Sequence, residues 1–85
     1  MPRFYFDIRD GESLVADEDG LEFPTLNEAR DDASRTLGQM MKQAMPDGQR
    51  HDLAVEVRGD DKRPLLKVQI TFEVQPLAKD EPASR

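Results

Sequence analysis

Carboxylates are the most abundant side chains in this sequence that could carry out chemistry. Asp7 and Glu73 both lie in alternating segments, and together on the polar face of a sheet they could act as a general acid and base. Such a pair needs a pocket that shifts its pKa values. The neighbouring Arg3, Arg9 and Lys67 favour cross-strand ion pairs instead. We therefore predict no catalytic residue.

The acidic run at residues 17–20, Asp-Glu-Asp-Gly, resembles part of a calcium-binding loop. A loop of the EF-hand type with Gly20 at its sixth position needs an acid at its first position and Glu at its twelfth. Val15 and Leu26 occupy those two positions. A solvated acidic turn explains the run better, so we predict no metal ligand.

The other candidate bases and nucleophiles are isolated in the sequence. His51 is the single histidine and lies between Arg50 and Asp52 just before a predicted strand, which favours an exposed loop histidine. The serines lie in no nucleophile-elbow pattern, and there is no phosphate loop or dinucleotide fingerprint. We therefore predict no cofactor.

Tyr5 lies among basic residues on the polar side of the first alternating segment, like a miniature platform for stacking RNA bases. It is the only aromatic residue there, and the formal net charge of −6 opposes phosphate binding, so we predict no nucleic-acid partner. The interaction surface that we expect comprises Arg3, Tyr5, Asp7, Arg9, Asp17, Asp19, Arg58 and Lys67.

Three segments alternate between apolar and polar residues with the period of a half-buried strand. They span residues 3–9, 52–58 and 65–74. An Asp-Gly pair after the first segment predicts a hairpin to a short strand at residues 13–16, and residues 21–23 form a further short extended piece. We expect the first and last of the three long segments near the sheet centre, because each has a full apolar face.

A helix is predicted over residues 26–45, where apolar residues recur at intervals of three and four. Thr25 and Glu28 have the spacing of a capping box at its start. Pro46 and Gly48 are expected to end it.

The predicted fold class is therefore α+β, in the order β-β-α-β-β, with one helix packed on one face of a single, mainly antiparallel sheet. We expect a single domain over residues 1–75. Residues 76–85 lose the periodicity and are expected to form a disordered tail.

Length and composition narrow the class of protein further. A chain of 85 residues builds one small core, and a homodimer would bury more surface. No apolar stretch approaches the roughly 18 residues of a membrane span, and the start is unlike a secretory signal. The absence of cysteine favours a reducing compartment. We expect a cytoplasmic protein, without membrane contact, whose partner is another protein or a second copy.

The segment at residues 2–11, with residues 19–24, 29–33 and 70–74, resembles a family of small uncharacterised proteins from rhizobia and related alphaproteobacteria. That family is catalogued as a domain of unknown function. The resemblance implies a bacterial cytosolic protein and brings no activity or functional residues with it.

A second resemblance is to HicB-type antitoxins, and it is carried by residues 19–24 with Glu28 and Ala29. The chain lacks the appended DNA-binding element that such antitoxins usually have, and it adds a hairpin after the helix.

A well-specified fold without catalytic equipment leads to the hypothesis of a small non-enzymatic protein-interaction module that uses a sheet edge or the polar sheet face. One alternative is an antitoxin-like acidic partner of a basic protein. Another is an uncharacterised small-ligand binder or hydrolase.

Overall fold

The computed structural model describes residues 1–45 and 48–78. The elements are β1 (Arg3–Asp10), β2 (Ser13–Val15), β3 (Leu21–Glu22), α1 (Leu26–Ala44), β4 (Arg50–Arg58) and β5 (Pro64–Glu73). The predicted α+β class is confirmed, and β3 lies where the sequence predicts a short extended piece. Pro46, which was expected to end the helix, and residues 79–85 of the predicted tail lie outside the described residues.

All strand pairs in the sheet are antiparallel, and the order of strands is β2-β1-β4-β5. β3 pairs with β1 on the same edge as β2. The expectation that β1 and β5 lie at the centre is wrong for β5, which is an edge strand. β4 lies between them, and Ala54 on its polar side is 4% exposed. The position of a strand at the centre of the sheet is therefore indicated better by burial on both of its faces than by the length of one apolar face.

The core lies between α1 and the sheet. The helix contributes Ala29, Ala33, Leu37 and Met41 to it, and the sheet contributes Phe4, Leu53, Val55 and Val57. Helical spacing places the four helix residues on one stripe, and strand alternation places the sheet residues on one face. Thr25 caps the helix by accepting a hydrogen bond from the backbone N–H of Glu28 at 3.2 Å.

Two hydrogen bonds at the strand ends show which way the backbone groups of the sheet point. The N–H of Val74 donates to the carbonyl oxygen of Gln49 at 2.8 Å, and the N–H of Gly11 donates to that of Asp52 at 3.2 Å. Along an antiparallel pair, the backbone N–H and C=O groups of successive residues point alternately toward and away from the neighbouring strand. The backbone groups of the even-numbered residues of β5 therefore bond to β4, and those of the odd-numbered residues point away from it. In β1 the odd-numbered residues bond to β4.

Among the described residues, no helix combines the length and the apolar character that crossing a bilayer requires.

Candidate functional site

A bidentate salt bridge joins β1 to β4 on the polar face of the sheet. Arg58 donates to the carboxylate of Asp7 from Nε at 2.7 Å and from Nη2 at 3.0 Å. Tyr5 is opposite Arg58 in the strand register, and Asp7 lies two residues further along the same face of β1. The Asp7 residue is only 8% exposed, although it lies on the polar face of the sheet. The paired charges and the fork geometry of the guanidinium make this burial tolerable.

Asp17, the first residue of the acidic turn, packs against this ion pair, whereas Glu18 and Asp19 are exposed. The backbone N–H of Asp17 donates to Oδ1 of Asp7 at 2.9 Å, and its carbonyl oxygen accepts from Nη2 of Arg58 at 3.1 Å. The Arg58 guanidinium also lies 5.1 Å from the centre of the Tyr5 ring, a cation–π distance. Four residues of the predicted interaction surface therefore form one polar cluster, namely Tyr5, Asp7, Asp17 and Arg58.

The carboxylate of Asp17 accepts hydrogen bonds from three backbone N–H groups. Oδ2 accepts from Phe6 at 3.0 Å, and Oδ1 accepts from Asp19 and Gly20 at 3.1 Å each. The bonds to Asp19 and Gly20 shape the turn in the manner of an Asx turn. The bond to Phe6 ties that turn to the sheet.

Gly20 lies close against β1. Its φ of +73° is in the left-handed region, and a Cβ there would lie 2.9 Å from Cγ of Arg3 and 3.0 Å from the carbonyl oxygen of Phe4. Arg3 closes the contact by donating from Nη1 to the carbonyl oxygen of Asp19 at 2.8 Å. A glycine is therefore required at this position on both backbone and steric grounds.

The carboxylates of the buried Asp7 and the half-buried Asp17 are both held in the ionised form. The hydrogen bonds from Arg58 lower the pKa of Asp7 more than its burial raises it. Burial raises the pKa of Asp17, but the N–H groups of Phe6, Gly20 and Asp19 together outweigh it and leave that pKa below its ordinary value. These groups are fixed charges that hold the structure together, and neither is poised to exchange a proton near neutral pH.

The structure does not bring Asp7 and Glu73 together. In the strand register Asp7 is opposite Glu56 and Glu73 is opposite Arg50, six residues further along β4. Glu73 accepts from Nη1 of Arg50 at 3.3 Å. The acid–base pair imagined from the sequence is therefore absent from the described part of the chain.

Arg9 and Lys67 lie beyond the cluster on the same polar face. Arg9 donates from Nε to the Glu56 carboxylate at 3.2 Å, and Lys67 is opposite Glu56 in the register. Within residues 1–45 and 48–78, Lys67 makes no ion pair. Of the eight predicted surface residues, these two lie outside the polar cluster, four form it, and two are joined to it by hydrogen bonds of the acidic turn, namely Arg3 and Asp19.

His51 is not the exposed loop residue that was expected. It lies within β4, its side chain is 14% exposed, and its Nε2 is 3.0 Å from Oδ1 of Asp10. This contact is on the helix side of the sheet, away from the cluster, because His51 and Leu53 share one face of β4.

The two edges of the sheet differ, which the sequence reasoning missed. On the β1 edge, β2 and β3 pair with the two ends of β1, and the Asp17 carboxylate accepts the N–H of Phe6 between them. The other edge is formed by β5, and no strand of the described chain pairs with the side of β5 that faces away from β4. The outward-facing residues Lys67, Gln69, Thr71 and Glu73 therefore present a row of backbone donors and acceptors to solvent.

Fold and cluster together define a small α+β domain with one helix across an antiparallel sheet and an internal ion-pair network on the opposite face. The chain belongs to the family described as a domain of unknown function, DUF6894, whose model matches residues 3–71. That match includes β1 to β4, the helix, the whole polar cluster and all of β5 except Phe72 and Glu73. No curated protein and no solved structure gives a significant match.

Proposed function

We propose that this protein is a small non-enzymatic protein-interaction module of the bacterial cytoplasm, of the alphaproteobacterial type, and that it binds a protein partner along the free edge of β5. The observation that carries the proposal is the difference between the two edges. Among residues 1–45 and 48–78, one edge is covered by two short strands and a carboxylate, whereas the other exposes the longest strand of the fold.

The composition of β5 supports pairing with another chain. Proteins usually protect an edge strand with prolines, bulges or several charges. In β5 the proline and the register irregularity are both at the start of the strand, at Pro64, and the remaining residues extend regularly to Glu73. Its regular length is sufficient to accept an added strand from a partner, as in β-augmentation.

The polar cluster supports a role that does not involve catalysis. Asp7 and Asp17 are its carboxylates with lowered pKa values, and Arg58 and four backbone N–H groups donate to them. A general acid must hold a proton at the working pH, and a metal ligand needs an open lone pair. The groups already bound to these carboxylates oppose both uses.

An antitoxin-like acidic partner of a basic protein is a second candidate. Glu18 in the turn before β3 and Glu28 in the first turn of the helix are exposed, and within the described chain neither forms an ion pair. The neighbouring Asp31 and Asp32 are already close to Arg30 and Arg35, which reduces the acidic surface available to a basic partner. This alternative predicts that the partner is lost on reversing the charges of Glu18 and Glu28.

The proposal is tested by recovering a tagged copy from its host with three variants. Gln69→Pro removes an N–H that faces away from β4, so it blocks the edge without breaking the β4–β5 ladder. Gln69→Ala keeps that N–H and is the matched control. Glu18→Lys with Glu28→Lys tests the acidic surface.

We expect a stoichiometric protein partner with the native chain, the Gln69→Ala variant and the charge-reversed variant, and its loss with Gln69→Pro. Retention of the same partner by a folded Gln69→Pro variant would contradict binding at this edge. Loss on charge reversal alone would favour the antitoxin-like alternative.

A further inference from the structure

We infer that the partner at the β5 edge is a second copy of this chain, paired antiparallel about a twofold axis through Ile70. The inference rests on the proposed function, because it names the occupant of the same edge. In this arrangement the sheets of the two copies join through β5 into one continuous sheet.

The backbone of β5 is compatible with this arrangement. Its odd-numbered residues direct their N–H and C=O groups away from β4. A twofold axis at Ile70 places Lys67 opposite Glu73 of the second copy and Gln69 opposite Thr71 of the second copy. These are the residues whose backbone groups point outward, so they form the hydrogen-bonded pairs of the new ladder.

The charged side chains select this register. Directly opposite residues on one face of an antiparallel pair are stabilising when their charges are opposite and destabilising when they are alike. Lys67 and Glu73 are the only charged residues of β5 and lie three positions to either side of Ile70. The axis at Ile70 therefore forms two opposite-charge pairs at once, in addition to the Glu56 carboxylate opposite Lys67 and the Arg50–Glu73 ion pair within each copy.

Neighbouring registers lose this match. An axis at Gln69 places Lys67 opposite Thr71 and leaves Glu73 opposite Leu65. An axis at Thr71 places Glu73 opposite Gln69 and Lys67 beyond the end of the strand, opposite Gln75. The backbone can form hydrogen bonds in each case, so the side chains decide the register.

The helix side of β5 also matches in the Ile70 register. Leu66, Val68, Ile70 and Phe72 are only half-buried, although they pack against the core. The axis places Ile70 against its own copy and Val68 against Phe72 of the second copy. Ile70 is at a position without outward hydrogen bonds, where facing side chains come closest. Apolar surface that the single helix leaves exposed is then covered by apolar surface.

A charge-reversal experiment tests the register by sedimentation equilibrium. Lys67→Glu places two carboxylates opposite each other at both ends of the pair, and Glu73→Lys places two ammonium groups there. Each variant alone should dimerise on the order of tenfold more weakly than the native chain, or worse. An equal mixture of the two variants regains both opposite-charge pairs and should dimerise like the native chain. Circular dichroism checks that each variant is folded.

A disulfide experiment tests the axis independently, because the chain contains no cysteine. Ile70→Cys places the two thiols opposite each other and should give a covalent dimer on mild oxidation. Val68→Cys is the matched control. Its two copies would lie four residues apart along the strands, about 14 Å, so they should not crosslink.

The outcomes separate this inference from the proposed function. Recovery of dimerisation in the mixture, with crosslinking at position 70 alone, supports the second copy and its register. A native dimer that ignores both charge variants, or that crosslinks through position 68, overturns the register. A native chain that stays monomeric while Gln69→Pro still loses a different host protein overturns the second copy and leaves the edge function standing. A monomeric chain whose host partner is retained by Gln69→Pro overturns both.

Discussion

The carboxylate of Asp17 accepts the backbone N–H of Phe6 at 3.0 Å, at the point of β1 that neither β2 nor β3 reaches. A side chain thus takes the position of a missing strand residue. The same carboxylate organises the turn between β2 and β3, so one residue both shapes the turn and protects that edge of the sheet.

Replacing Asp17 with alanine should destabilise the fold substantially. Three backbone N–H groups lose their acceptor, and leaving partly buried donors unsatisfied costs about 2 kcal/mol or more in the free energy of unfolding. Denaturant unfolding measures the loss. Glu18→Ala, at the exposed neighbouring position, is the control and should change stability by no more than about 0.5 kcal/mol. Equal effects of the two substitutions would contradict the role given to Asp17.

Stability should fall in acid because of Asp7. Its pKa is lower in the folded chain than in the unfolded chain, chiefly through Arg58, so the unfolded state binds more protons as the pH drops. The stabilisation is complete above about pH 4 and is lost as the pH falls through the lowered folded pKa. Unfolding free energies measured by denaturant titration across the acid range check this slope.

Asp7→Asn is the control for that measurement. It should be less stable than the native chain at neutral pH, because it cannot form the charged pair with Arg58. Its unfolding free energy should depend less on pH in the acid range, and the two curves should approach each other at low pH. Parallel curves would show that Asp7 does not contribute the pH dependence.

Two glycines should respond in opposite directions to alanine. Gly38 lies inside α1 with open space where a Cβ would be, so Gly38→Ala should stabilise by about 0.5–1 kcal/mol through helix propensity. Gly20→Ala should destabilise by at least about 1 kcal/mol, because a Cβ there is strained and meets Arg3 and the Phe4 carbonyl oxygen. Thermal unfolding compares both with the native chain, and effects of the same sign would contradict this account.

Periodic burial explains how much of the fold could be predicted from the sequence. The helix begins at the predicted Leu26 and ends at Ala44, one residue before the predicted end. The final strand spans Pro64–Glu73 where residues 65–74 were expected. Both elements bury one face, and that face repeats with the period of the element. Strand order could not be predicted this way, because an edge strand and a central strand can have equally apolar faces.

The polar cluster could be predicted only as a set of residues. Asp7 and Arg58 were both expected on the polar face, but they are 51 residues apart and their pairing depends on the register of β1 against β4. Asp17 carried a local signal, since an Asp followed closely by Gly favours a turn bonded to the side chain. That signal does not show which edge the turn protects.

The most direct test of β5 as the interaction surface is residue-resolved hydrogen exchange by NMR on the concentrated protein. The amides of Leu66, Val68, Ile70 and Phe72 bond to β4 and serve as the internal reference, whereas those of Lys67, Gln69, Thr71 and Glu73 face away. If the edge is paired, both sets should be protected, and dilution or Gln69→Pro should remove protection from the outward set alone. Protection that alternates along β5 in the concentrated protein, and equally in the complex recovered from the host, would contradict the proposal.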